Sequence, residues 1–360
     1  MSTFSQQIRD VVWARRGVAG WAGWLALQPL SAAFGTAVAL RNLAYRVGLF
    51  RVHHAGAAVV SVGNLAVGGT GKTPLTLWLA RRLAARGAPV AILLRGYSGH
   101  SNGVTIVSRG AGPEVDVAAA GDEAAMLARC FPGVVLTARR RVAGVAAAEQ
   151  LGCRVVLLDD GFQHRSLARD FDLVLINDRR GALLPAGPMR ERRAALKRAD
   201  AIVFVVKTEE DCAPHLRAAL PRLTVPVFVA RLVPKALIES DGGRWRQLPV
   251  GLLSGRRVAA VAGIADPSPF YTMLRQWETQ LEEIFEFPDH HRYTGADWQR
   301  IARGTRNIEL IVTTEKDLVK LESFPFARGK LLALRIVPEV DGAEALVDMI
   351  AQRTGLSPGA

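Results

Sequence analysis

Residues 61 to 75 read SVGNLAVGGTGKTPL. Glycine-rich runs that end in lysine and threonine can wrap backbone N–H groups around a phosphate chain. The usual spacing is G-x-x-x-x-G-K-S/T, and its opening position here is Ala66 instead of glycine. Ala66 and Val67 lead into Gly68, Gly69, Thr70 and Gly71, the stretch able to close on an anion. Lys72 then reaches terminal phosphates, and the Thr73 hydroxyl is placed to ligate Mg²⁺. Pro74 falls in a first helical turn, where its missing N–H costs little. The competing reading is a plain structural turn. The flanks argue against it: AAVVSVGN before the loop reads as a strand, and PLTLWLARRLAARG after it reads as a helix closed by Gly87.

Three further clusters could do chemistry. RVVLLDDGFQH puts Asp159 and Asp160 at a strand end, where a phosphate-loop protein needs an acid near Mg²⁺, with Gln163 and His164 in the following polar turn. GDEAAMLAR sets Asp122 and Glu123 at a helix start, a place where carboxylates serve as caps. Phosphoryl transfer to a hydroxyl also needs a carboxylate to orient and deprotonate the acceptor. A capped carboxylate is weakly basic and needs help, for example from a histidine. FPDHH supplies Asp289, His290 and His291, and spacing alone does not pair any of them with Asp122. Two nucleotide-binding classes fit poorly. The K-G-G-x-G-K-T loop of dimeric switch ATPases requires a lysine where Val67 stands, and the N/T-K-x-D signature of GTPases is not met by TTEKD, where Lys316 and Asp317 are adjacent.

These residues need a scaffold. Short apolar runs alternating with helical segments predict a mostly parallel sheet covered on both faces by helices, with ligands at the carboxyl ends of its strands. After an irregular β-rich stretch between Pro226 and Arg257, a second α/β pattern begins, with helices carrying Trp277 and Trp298. The expected division is an N-terminal helical segment over 1–50, a nucleotide-binding unit over 51–230, a smaller α/β unit with a β-linker over 231–340, and a tail over 341–360. The N-terminal segment has no charged residue from Gly17 to Leu40 and is flanked by arginines on both sides. It reads as an interfacial helix or broken helix at a membrane surface; a buried hairpin and a true span are the alternatives. Lys and Arg exceed Asp and Glu by 46 to 33, for a formal charge of +13. That excess suits anionic lipid or a phosphorylated substrate, and no nucleic-acid motif accompanies it. Three scattered cysteines form no disulfide framework or zinc site.

Together, VGNLAVGGTGKTP, LRGYSG, GDE, LLDDGFQH, LLPAGPMRE, FPDHHRY and TTEKD occur in an order that resembles the tetraacyldisaccharide 4'-kinase family, from about residue 15 to 340. That family's loop also lacks the opening glycine. The resemblance implies an α/β phosphate-loop fold, ATP and Mg²⁺ as cofactors, and phosphorylation of the 4'-hydroxyl of tetraacyldisaccharide 1-phosphate. It implies work at the cytoplasmic face of the bacterial inner membrane, with no obligate protein partner and no nucleic acid. It further implies that Asp122 is the catalytic base and His290 its partner, with Lys72 catalytic. Residues 66 to 73 would hold the nucleotide, and Thr73, Asp159, Asp160 and Gln163 would surround the metal. Glu123, Tyr97, Arg141, Arg190 and Glu191 would face the acceptor or its phosphates. One departure is Ala124, where the family often has proline after GDE.

Overall fold

The computed structural model describes residues 8–96, 103–177, 181–206, 224–326 and 329–356. Its strands are β1 (Ala58–Asn64), β2 (Val90–Leu94), β3 (Val104–Arg109), β4 (Val134–Ala138), β5 (Val155–Asp159), β6 (Phe171–Ile176), β7 (Ala201–Val206), β8 (Val227–Asp241), β9 (Arg244–Leu248), β10 (Arg257–Ala262), β11 (Gln280–Glu286), β12 (Leu310–Thr314) and β13 (Leu331–Val340). The main helices are α1 (Gly17–Arg46), α2 (Lys72–Ala85), α3 (Asp122–Cys130), α4 (Arg141–Gln150), α5 (Ser268–Arg275), α6 (Gly295–Gly304), α7 (Glu315–Leu321) and α8 (Ala343–Arg353). The central strands VAILL, VVLLD and AIVFVV are buried along their whole length. Continuous apolar runs of this kind belong to strands covered on both faces. Leu75, Leu79 and Leu83, spaced by four along α2, form the stripe that covers one of those faces.

Among the described residues all thirteen strands join one mixed sheet, in the order β11-β10-β12-β13-β8-β7-β6-β1-β5-β2-β4-β3, with β9 paired to β8. Most neighbours are parallel; β3–β4, β8–β13 and β8–β9 are antiparallel. The stretch expected to be irregular is the fifteen-residue strand β8 and its hairpin partner β9. Gly242 and Gly243, both at positive φ, make the two-residue turn between them.

The length of β8 creates the site. β7 runs parallel to its first part, ending with Val206 opposite Arg231. β13 runs antiparallel to its later part, with Leu334 opposite Leu237, and β12 follows β13 so that Thr314 lies level with Leu334. The two half-sheets therefore run in opposite senses and are offset along β8. Their carboxyl ends face each other across the stretch between Arg231 and Leu237, roughly 20 Å of strand at about 3.3 Å per residue. A flush antiparallel junction would have put those ends on opposite edges of the sheet.

Two other elements cross between the halves or stand outside them. Leu346, Val347 and Ile350 of α8 return to the core under α2, where Glu344 and Asp348 pair with Arg82 and Arg86. α5 stops at Arg275, so Trp277 sits in the turn beyond it, where left-handed Glu278 redirects the chain into β11. The uncharged run lies in one continuous helix, α1, and before it a short π-helical turn, Ile8–Trp13, folds back so that Val11 and Val12 meet Gly20 and Gly23 of α1. The length and composition of α1 suffice to cross a membrane, and most of it is exposed. Val18, Trp21, Leu25, Leu30, Leu40 and Leu43 point to solvent. The opposite edge is docked: Ser31 Oγ donates to the Leu183 carbonyl at 2.8 Å and Asn42 Nδ2 to Glu191 at 2.8 Å.

Candidate active site

Between the facing strand ends lies a cavity of about 530 Å³. Leu232 of β8 with Leu334 and Ile336 of β13 forms its apolar floor. On one wall is the loop from Gly68 to Thr73; on the other are Asp289, His290 and Lys316.

On the first wall, β1 delivers the chain into the loop and α2 begins at Lys72. Gly71 sits in the left-handed region at φ 81, and a Cβ there would come within 3.1 Å of Leu232, so backbone conformation and space both call for glycine. Asn64 Nδ2 donates to Thr70 Oγ1 at 2.8 Å and holds the loop open. Lys72 Nζ stands 3.7 Å from Asp160, and Thr73 Oγ1 donates to Asp159 at 3.0 Å. Arg190 donates to both carboxylate oxygens of Asp160 at 2.8 Å. Burial raises the Asp159 pKa, and the charges of Glu123 and Asp160 add to the rise against the opposing pull of Lys72. Asp160 is held low: burial works against its charge, but Lys72 and Arg190 outweigh it. Asp160 also has a left-handed backbone, φ 58. A crowded, partly uncompensated carboxylate beside a threonine hydroxyl suits a hard divalent cation, and Mg²⁺ typically takes one or two carboxylates plus phosphate oxygens and water. Thr73 and Asp159 therefore fit Mg²⁺.

On the facing side, Asp122 opens α3. Gly121 before it adopts φ 85, ψ 154, a combination open essentially to glycine. Gly121→Ala is therefore expected to destabilise the fold by about 1–3 kcal/mol and to displace Asp122, read by urea unfolding and by loss of phosphoryl transfer. Asp122 is 5% exposed. His290 Nδ1 lies 3.1 Å from both of its oxygens, and Lys320 and Lys316 stand at 3.5 and 4.0 Å. Burial opposes the Asp122 charge, but the His290 hydrogen bond and the two lysines together hold the carboxyl well below its usual range. His290 is raised above its ordinary value, chiefly by the Asp122 hydrogen bond and against burial and Lys316. His290 is the second left-handed non-glycine residue of the cleft, φ 59. Its neighbour His291 turns away, stacking on Phe287 and meeting Asp297 at 3.1 Å.

The remaining residues singled out in the sequence divide. Gly68 to Thr73, Glu123, Asp159, Asp160 and Arg190 line the cavity. Ala66 and Val67 lie outside its lining and pack the loop against the Pro188–Arg190 segment, where Ala66 bridges Met189 and Val67 N–H donates to the Pro188 carbonyl. Gln163 accepts from Arg190 at 3.4 Å and donates to the Asn64 carbonyl at 2.9 Å, bracing the loop from behind. Arg141, buried, donates to the Asp159 carbonyl. Glu191 is 1% exposed and bound by Arg198 and Asn42, away from the cavity lining. Tyr97 lies outside the described residues. Sequence reasoning missed Lys316 and Lys320. The signal was present: they are one turn apart in TTEKDLVK, the first turn and a half after β12.

Cations and backbone N–H groups on one side, and a buried carboxylate backed by imidazole on the other, form an arrangement that phosphoryl transfer to a hydroxyl could use. A mixed α/β fold with such a site is suited to a phosphotransferase. The chain belongs to the tetraacyldisaccharide-1-P 4'-kinase family, whose model matches residues 23–354. It is 42% identical to the tetraacyldisaccharide 4'-kinase of Anaeromyxobacter sp. (strain K), over 94% of this chain and 93% of that one. It is also 42% identical to the enzyme of the same name from Geobacter metallireducens, over 82% and 88%. The crystal structure of LpxK from Aquifex aeolicus in complex with ATP superposes with a TM-score of 0.77 at 31% identity, covering 92% of this chain and 99% of that one.

Proposed function

We propose that this protein transfers the γ-phosphate of ATP to the 4'-hydroxyl of tetraacyldisaccharide 1-phosphate in lipid A biosynthesis, giving the 1,4'-bisphosphate. The observation that carries the reading is the hydrogen bond between buried Asp122 and His290, where His290 lines the same cavity as Lys72 and Thr73 and Asp122 lies just behind the lining residues Gly121 and Glu123. The backbone of Gly68 to Thr73 wraps the β- and γ-phosphates, with the α2 N-terminus adding favourable potential. Mg²⁺, held by Thr73 and Asp159 with Asp160 nearby, would neutralise charge on the phosphate oxygens. Lys72 and Arg190 leave Asp160 for the transferring group, and Asp122 takes the 4'-hydroxyl proton as the acceptor oxygen attacks. His290 orients Asp122. Glu123 lines the approach of the acceptor.

The chain is read as an N-terminal membrane segment, a nucleotide-binding unit and a smaller unit that closes over the nucleotide, with the division near residue 230 falling inside β8. Closure narrows the gap between the strand ends and excludes water, which limits wasteful hydrolysis. The apolar face of α1 and its flanking arginines hold the enzyme on the cytoplasmic side of the inner membrane, where the acceptor's acyl chains remain.

Labelled ATP and tetraacyldisaccharide 1-phosphate in detergent micelles test the reading. Transfer to the 4' position is expected. A preparation that binds ATP and transfers nothing overturns it, and so does equal transfer to the deacylated disaccharide, the behaviour of a soluble sugar kinase.

A further inference from the structure

We propose that Lys316 is a positioning residue of the acid–base pair: its ammonium competes with a proton for Nε2 of His290 and so sets the pH below which Asp122 is clamped by an imidazolium. The inference rests on the reading of Asp122 as the base.

Lys316 stands in the first turn of α7, just after Thr314 caps the helix. Its side chain is 15% exposed, and Nζ lies 3.3 Å from His290 Nε2 and 2.9 Å from Asp289. An ammonium has three donors and no acceptor. At this distance Nε2 can therefore only accept, which leaves the imidazole proton on Nδ1, facing both oxygens of Asp122. A second proton on Nε2 would point at the ammonium. Every charged group around the ring enters this balance. Asp122 and Glu123 come from α3, Asp289 from the loop after β11, and Lys316 and Lys320 from α7, where Lys320 also pairs with buried Asp317 at 2.9 Å. Asp122 at Nδ1 and Asp289, whose carboxylate lies 3.9 Å from Nε2, draw a proton onto His290, and Lys316, closer at 3.3 Å, opposes them at the nitrogen where that proton would bind. Neutral His290 donates one hydrogen bond to Asp122 and leaves its charge free to receive a proton. As an imidazolium it would form an ion pair with Asp122 and make the carboxylate a poorer acceptor.

The test is a ¹⁵N-histidine NMR titration of the full chain, with the His290 resonance assigned by its loss in His290→Gln, beside the pH profile of kcat. In Lys316→Met the His290 midpoint is expected to rise by roughly one unit, the effect of removing one partly screened cation in contact. The acid limb of kcat is expected to rise with it. In Lys316→Arg, which keeps a donor-only cation, both should stay near wild type. Lys316→Gln gives the same reading should the methionine variant fold poorly. A midpoint that stays or falls in the neutral variants overturns the inference, whatever the loss of rate. A midpoint that rises while the kinetic limb stays fixed upholds the Lys316–His290 linkage and overturns the placing of this pair on the reaction path.

Discussion

Asp122→Asn is expected to lower kcat by about three orders of magnitude, within the usual range for loss of a positioned general base. The exchange keeps shape: an asparagine oxygen can still accept from the Glu123 backbone N–H, which Asp122 Oδ1 receives at 3.0 Å, and from His290 Nδ1. What disappears is a site for the proton. The KM for ATP should stay within about twofold, because the interaction lost belongs to the transition state and not to nucleotide binding. A carboxyl held below its usual range is a weak base, which would be a defect if the proton had to leave early. In a loose phosphoryl-transfer transition state the acceptor hydroxyl becomes acidic only as the bond to phosphorus forms, so a well-oriented weak base is sufficient. His290→Ala removes the orienting partner but leaves the carboxylate with Lys316 and Lys320, so its loss should be smaller, about ten- to a hundredfold. Steady-state rates with labelled ATP check both. A kcat within about threefold of wild type for Asp122→Asn would remove the residue from the role of base.

The parts of this cleft legible in the sequence are the local ones. A glycine loop between a strand and a helix, two acids at a strand end and a glycine before a helix-opening aspartate each declare their conformation within a few residues. The meeting of those parts is not local. Asp122 and His290 are 168 positions apart, and they face each other because β8 is long enough to carry two offset half-sheets. In the sequence that strand reads as an irregular stretch, since Pro234, Lys235 and the Asp241–Arg244 turn break its alternation. Lys316 was hidden differently. In the sequence TTEKD is only a failed GTPase spacing, whereas in the fold it is the first turn of α7 that brings its lysine to His290 and Asp289. Charge in a motif also reads ambiguously. Arg190 and Glu191 are neighbours, yet one lines the cavity and the other is sealed between Asn42 and Arg198. Sequence order cannot tell these apart; which side of the loop α1 covers decides it.

That sealing ties the membrane segment to the chemistry. α1 grips the 183–191 loop through Ser31 and Asn42, and the same loop carries Arg190 to Asp160 and backs the glycine loop through Val67. The apolar helix proposed to meet lipid with its exposed face is thus also one wall of the support for the candidate phosphate site.

The support matters most at Lys72, and Lys72→Met is expected to lower kcat by about a hundred- to a thousandfold. Lys72 and Arg190 share Asp160, a half-buried carboxylate on a strained backbone. Both cations are thereby held at the cavity wall, within reach of a phosphate chain lying along Gly68 to Thr73. Removing the lysine leaves Asp160 both hydrogen bonds from Arg190 Nη1, so the fold should hold and thermal unfolding should shift by only a few degrees. The loss falls on the charge that grows on the transferring phosphoryl group, which a methionine of similar length cannot meet. Because Lys72 also touches the ground-state phosphates, the KM for ATP should rise along with the fall in kcat, in contrast to Asp122→Asn. Lys72→Arg should not restore the rate. A planar guanidinium donates as a fork where a compact ammonium acts as a point charge, and beside Arg190 it would compete for the two oxygens of Asp160. Calorimetric ATP titration and single-turnover transfer separate the two effects. Unchanged transfer in Lys72→Met, with ATP still bound, would mean that the loop holds nucleotide without acting on its γ-phosphate.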